Sequence, residues 1–161
     1  MDEARETFEQ LPDMNDEEIV VQNALMAGYA ENGYAKEALE CLDDMKQHGV
    51  IPDVVTLVCG LKACGNGRAL KKGQALHMEI ACEGYDSAFS NIGSTLIDMY
   101  VKCGLMIEAQ DVFDNLGERD AVAWNALIVG YAEHSRGKEA LGFLEKMKAQ
   151  AMSPDVVALA Y

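Results

Sequence analysis

Residues 19–53 recur without a gap as residues 121–155, an offset of 102, and 17 of the 35 paired positions are identical. The shared frame includes Asn23 and Asn125, Gly28-Tyr29-Ala30-Glu31 and Gly130-Tyr131-Ala132-Glu133, Lys36-Glu37-Ala38-Leu39 and Lys138-Glu139-Ala140-Leu141, and Pro52-Asp53 and Pro154-Asp155. Self-similarity at a fixed offset marks stacked units, each too small to bury its apolar face alone. In such a chain, residues that carry function recur in register, so a lone active site is a secondary expectation.

The periodicity inside the unit is helical. From Ala24 to Ala30 the apolar residues fall on one helix face, and Asn32-Gly33 follows as a stop signal. A second helix is predicted over about 35–48, with Ala38, Leu39, Leu42 and Met45 on its buried face. Gly49 ends it, and Pro52 forbids its continuation. The interval between the copies divides the same way. Residues 54–89 hold helices around 56–64 and 69–82, and residues 90–120 hold helices around 94–102 and 106–115. The three units measure 35, 36 and 31 residues, which together account for the offset of 102. Residues 156–159 open a further unit like 54–57. Met1-Asp2-Glu3-Ala4-Arg5 with Phe8 is similar to Ile107-Glu108-Ala109-Gln110 with Phe113, so 1–18 reads as part of a preceding short unit. Asp16-Glu17-Glu18 are three residues more than that unit needs. Phe8, Leu11 and the tail 159–161 lack an outer neighbour, which predicts self-association through uncapped ends.

Composition narrows the function. Half the residues are hydrophobic, which excludes a disordered chain. The net charge of −14 argues against a polyanion partner, because nucleic-acid binding leans on Lys and Arg. The five cysteines Cys41, Cys59, Cys64, Cys82 and Cys103 contain no Cys-x-x-Cys pair, so neither a disulfide framework nor a structural zinc site is expected. No apolar run reaches the roughly 18 residues of a membrane span, and the acidic start Met1-Asp2-Glu3 is no transit peptide.

The segments Val20-Val21-Gln22-Asn23-Ala24-Leu25, Glu37-Ala38-Leu39 and Gly49-Val50-Ile51-Pro52-Asp53 resemble a pentatricopeptide repeat. Leu61-Lys62-Ala63-Cys64 with His77 resembles the family's long variant. Leu96-Ile97-Asp98-Met99-Tyr100-Val101-Lys102-Cys103-Gly104 with Val112-Phe113-Asp114 resembles its short variant. The order standard, long, short, standard is similar to the PLS subfamily of plant organellar proteins. That resemblance implies an all-α, right-handed α-solenoid of αα-hairpins that binds single-stranded RNA, one base per repeat. It further implies the target-recognition part of an RNA editing or processing factor, with editing-complex proteins as partners. The full-length protein would work in the mitochondrion or chloroplast, without a cofactor, metal or catalytic residue in this part.

The family's fifth and last residues read the base edge, and its second residue packs on the base faces. Carried over, Asn23 with Asp53 and Asn125 with Asp155 are readers that prefer uracil. Ser94 with Asp120 resembles the pairing that prefers guanine. Val20, Val55 and Val122 are the base-packing residues, with Asn91 in that place in the short unit. Val58 with Phe89 cannot hydrogen-bond a base edge, so no discrimination is expected there. The implied register is 5′-U-N-G-U-3′. Lys102 stands where the family places a phosphate contact, whereas Glu31 and Glu133 occupy that place in the standard units.

The same residues admit plainer roles. Asn23 and Asn125 suit a helix start, Asp53 and Asp155 suit a turn, and Val20 and Val122 suit ordinary packing. His77-Met78-Glu79 fits the His-x-Glu of zinc deaminases, but no Pro-Cys-x-x-Cys completes that metal site. Arg68, Lys71 and Lys72 are expected on an outward-facing second helix. The acidic surface also suits a protein-interaction scaffold that binds a basic partner.

Overall fold

The computed structural model describes residues 15–84 and 90–154. The described residues form eight α-helices: α1 (Asp16–Glu31), α2 (Ala35–Gln47), α3 (Val54–Asn66), α4 (Leu70–Cys82), α5 (Ser90–Lys102), α6 (Met106–Asn115), α7 (Ala121–Glu133) and α8 (Gly137–Ala149). They pair as four successive αα-hairpins.

Local chemistry explains most helix ends. Asp53 and Asp120 are the N-caps of α3 and α7; their carboxylates accept from the Thr56 and Ala123 N–H at 2.7 and 2.8 Å. At the other ends, a residue with positive φ closes the turn: Gly33, Gly49, Gly84 and Gly104, but also Arg68, Ser135 and Ala151. The N–H just beyond it bonds back to the last helical turn, as from Tyr34 to the Tyr29 carbonyl at 2.9 Å and from Arg136 to that of Tyr131 at 2.8 Å. Helix α6 ends differently. Leu116 is extended, and the Arg119 side chain donates to the Phe113 and Asp114 carbonyls at 3.0 and 2.9 Å. A guanidinium from the connector does the work of the left-handed cap, which lets this hairpin and its connector be shorter than the others.

The helices form two layers. The first helices α1, α3, α5 and α7 pack side by side in sequence; α2, α4 and α6 each pack against their own partner and the next first helix, and α8 packs against α7. The second helices make no close backbone approach to one another among the described residues. Closer spacing in the first-helix layer puts it on the inner, concave side of the curve. The core lies between the layers, where Met26, Leu61, Ile97 and Ile128 recur at one register and are all buried.

Two expectations are corrected. Asp16-Glu17-Glu18 are not surplus connector. They extend α1 by about one turn, closed by a capping box between Asn15 and Glu18. Arg68 is not on a second helix but in the turn after α3. Phe8, Leu11, Phe89, Asp155 and residues 159–161 lie outside the described residues.

Candidate nucleic-acid interface

The concave layer presents one stripe per first helix, spaced about a turn apart. At its N-terminal end stand Val20, Val55 and Val122, which are 67%, 54% and 61% exposed. Residues so exposed do not pack into the core between the layers. Asn91, exposed, holds the same place on α5. At the C-terminal end stand Glu31, Asn66, Lys102 and Glu133, all exposed.

Between these ends lie the candidate readers. Asn23 on α1 and Asp53 at the start of α3 are brought together, with Asn23 Nδ2 donating to Asp53 Oδ2 at 3.4 Å. Asp53 therefore caps α3 through one oxygen and faces Asn23 with the other. Thr56 completes the group. Its Oγ1 lies 2.7 Å from Asn23 Oδ1 and 2.8 Å from Asp53 Oδ1. Thr56 is fully buried. The sequence pattern missed it, because nothing in a repeat's own register links its third residue to the preceding repeat's fifth.

The short hairpin is arranged otherwise. Ser94 is buried, and its hydroxyl turns back to the Asn91 carbonyl at 3.3 Å, while Asp120 caps α7. Ala123 stands where α3 has Thr56. Asn125 is buried on α7. Val58 packs half-buried against the core and offers no polar atom to the groove.

The groove carries more carboxylates than cations, and its cations are few. Lys102 Nζ is 2.7 Å from Asp98 and donates to Asn66 Oδ1 at 2.9 Å, and Asn66 donates to the Ala30 carbonyl at 2.9 Å. Its charge is thus partly neutralised by its own helix. Two further cations emerge. Lys62 is exposed on α3, one turn beyond Val58. Arg68 lines a polar cleft of about 370 Å³ with Asn66, Lys102, Glu133 and His134. Lys62 was legible in the sequence as the residue four places after Val58 on a first helix; Arg68 was not, because its turn decides where it points. Lys71 is exposed and Lys72 pairs with Asp43 of α2, on the outer side.

His77 belongs to packing rather than to a metal site. Its Nδ1 is 2.8 Å from the Tyr100 hydroxyl, and burial pushes its pKa down. No group of His, Cys, Asp or Glu among the described residues could hold a metal ion. All five cysteines are free, and burial pushes the Cys64 thiol up to about 12, which makes it a poor nucleophile. No helix among the described residues is long and apolar enough to cross a membrane.

A solenoid with an in-register groove and its polar groups spread along it belongs to the class of extended-ligand binders built from helical repeats. Known proteins narrow that class. Residues 17–66 and 119–159 match the family model of the PPR repeat family, and residues 94–120 match that of the PPR repeat. The chloroplastic pentatricopeptide repeat-containing protein At4g18520 of Arabidopsis thaliana is 37% identical over 95% of this chain and 25% of its own length. The mitochondrial At3g24000 of the same plant is 34% identical over 98% of this chain and 24% of its own length. The crystal structure of the pentatricopeptide repeat protein PPR10 in complex with an 18-nt psaJ RNA element superposes with a TM-score of 0.75. The identity is 23%, over 87% of this chain and 21% of that one, so the likeness bears on the fold alone. The chain belongs to the pentatricopeptide repeat family. It spans at most a quarter of the length of these relatives.

Proposed function

We propose that this chain is a sequence-specific, single-stranded RNA-binding module of the PLS type, reading one base per repeat in the register 5′-U-N-G-U-3′. It supplies the address for an organellar editing or processing factor of the mitochondrion or chloroplast and itself does no chemistry. The observation that carries the reading is the meeting of Asn23 and Asp53 beside exposed Val20 and Val55. An unstacked base held between two flat apolar side chains would put its Watson–Crick edge against that amide. Asn125 with Asp155 forms the second uracil reader, and Ser94 with Asp120 reads guanine. Val58 with Phe89 leaves its base unread.

Good base contacts contribute about 1–3 kcal/mol each. Three readers beside Glu31 and Glu133 then hold a short RNA no tighter than the micromolar range, with Lys62 and Lys102 as the phosphate contacts. Titration of labelled RNA carrying UNGU should show tighter binding than a scrambled control, and Asn125→Ala should remove most of the difference. Equal binding of both RNAs, unchanged in the variant, would overturn the reading.

The net charge of −14 favours a second reading, an acidic scaffold for a basic partner protein. That reading requires RNA binding to be absent at low salt, where phosphate contacts are strongest.

A further inference from the structure

At the C-terminal ends of α3, α5 and α7, Arg68, Lys102 and His134 line one polar cleft together with Asn66 and Glu133. The three basic residues come from three different hairpins, so no single repeat contains the group. Arg68 stands in the turn after α3 with a φ of 51°, where the turns after α1 and α5 have Gly33 and Gly104. An arginine in that conformation carries strain that a glycine would not. The cleft also takes in Asn66, Lys102 and Glu133 from the end of the concave stripe, so a strand laid along the groove passes its mouth.

The ring of His134 has a defined tautomer. Its Nδ1 is 2.8 Å from the Gly130 carbonyl, which only accepts, so Nδ1 carries the proton. In the neutral ring Nε2 is then a bare lone pair, which repels a phosphate oxygen. Nε2 lies beside Gly104, 3.9 Å from where a Cβ would stand, and both residues line the cleft. Protonation turns that nitrogen into a donor and adds a charge.

The added charge matters because the other groups offset one another. Arg68 and Lys102 are positive, Glu133 is negative, and Asp98 lies 2.7 Å from Lys102. The Cys103 thiol, which burial pushes up, is neutral. Arg136 is engaged elsewhere, with Glu139 at 2.9 Å and over the Tyr131 ring. Glu108 of α6 belongs to a separate cavity with His77 and Tyr100.

We propose that Arg68, Lys102 and His134 form a site for one backbone phosphodiester of the bound strand, completed only when His134 is protonated. The site rests on the proposed RNA-binding function and adds Arg68 and His134 to its phosphate contacts. Binding then tightens as pH falls and loosens as His134 loses its proton.

The test measures dissociation constants of the whole chain for UNGU RNA from about pH 8 to about pH 5.5, the range over which imidazole changes charge. The unmodified protein gains about three- to tenfold in affinity, as for a charge-assisted hydrogen bond weakened by solvent. His134→Gln loses this gain, while His48→Gln, at the end of α2, keeps it. Arg68→Gln weakens binding at both ends of the range and lowers the slope against salt by about 0.7, one phosphate contact on a single strand. Arg68→Lys restores the slope, and comparable melting curves show that the variants are folded. In NMR titrations, RNA raises the pH at which the His134 ring loses its proton. The proposal is overturned if RNA binds but His134→Gln keeps the gain, or if Arg68→Gln leaves the salt slope as it was. It is also overturned if inorganic phosphate shifts the His134 titration while RNA does not, which marks a site for the free anion. No RNA binding by the unmodified protein at low salt and any pH overturns the function itself, and the site with it.

Discussion

The hairpins α1–α2 and α7–α8 carry the two copies of the repeated segment, and identical residues in them have different environments. Leu25 is 47% exposed, and its copy Leu127 is fully buried. Tyr29 is half-buried, while Tyr131 is buried. A Cβ on Gly28 would meet nothing within 4 Å, whereas one on Gly130 would lie 2.7 Å from both methyls of Val101. The difference comes from what stands on the outer side of each first helix. Helix α5 covers one side of α7, while among the described residues α1 packs only on α2 and α3. In a solenoid, burial is a property of the neighbour as much as of the unit.

The second copy also has chemistry that the first lacks. Trp124 and Phe143 replace Gln22 and Cys41, and they join Phe113 of the preceding hairpin and Tyr131 in an aromatic cluster. Phe113 and Trp124 meet edge-on at 4.7 Å, and Tyr131 stacks on Phe143 at 5.4 Å. Such pairs add about 0.5–1.5 kcal/mol each beyond the area they bury.

The sharpest way to break this contrast is Phe143→Ala, expected to lower stability in urea titration by about 3–5 kcal/mol. Cys41→Ala, at the matching place, should change it by less than about 1 kcal/mol, as for a half-buried group that loses few atoms. Next in size is the leucine pair. Leu127→Ala should cost about 2–5 kcal/mol and Leu25→Ala a fraction of that, both read from the urea midpoint. The glycine pair should differ in sign. Gly130→Ala forces a methyl against a stiff β-branched side chain and should cost about 1–3 kcal/mol. Gly28→Ala enters open space inside a helix and should raise stability by about 0.5–1 kcal/mol; a drop in its melting temperature would mean that something covers this face in solution.

The smallest effect concerns the turns. Ala151 has a φ of 58°, where its copy Gly49 has 73°. Ala151→Gly should raise the melting temperature slightly, by up to about 1 kcal/mol of relieved strain, and Gly49→Ala should lower it similarly.

Much of this architecture was legible in the residues. Asn32-Gly33 and Gly49 marked helix ends, because a residue that tolerates positive φ closes a helix by local geometry alone. Ala38, Leu39, Leu42 and Met45 marked a buried face, because helical spacing puts them on one side, and all four are buried. The cap role of Asp53 was not separable from a turn role, since both need the same short acidic side chain. The extra turn of α1 was missed because Asp16-Glu17-Glu18 disturb the repeat's register while suiting a helix start. The closure of α6 by Arg119 was missed because a side chain that caps from outside the helix leaves no periodic trace.

The sequence by itself determined the helical hairpins and the register at which candidate readers recur. Those follow from hydrophobic spacing, capping residues and left-handed turns, which act over a few residues. Only the tertiary structure decided which of two identical leucines is buried, which cations face the groove, and that Thr56 meets Asn23 across a separation of 33 residues. Those depend on how one hairpin stacks on the next, where a side chain's partners come from another unit.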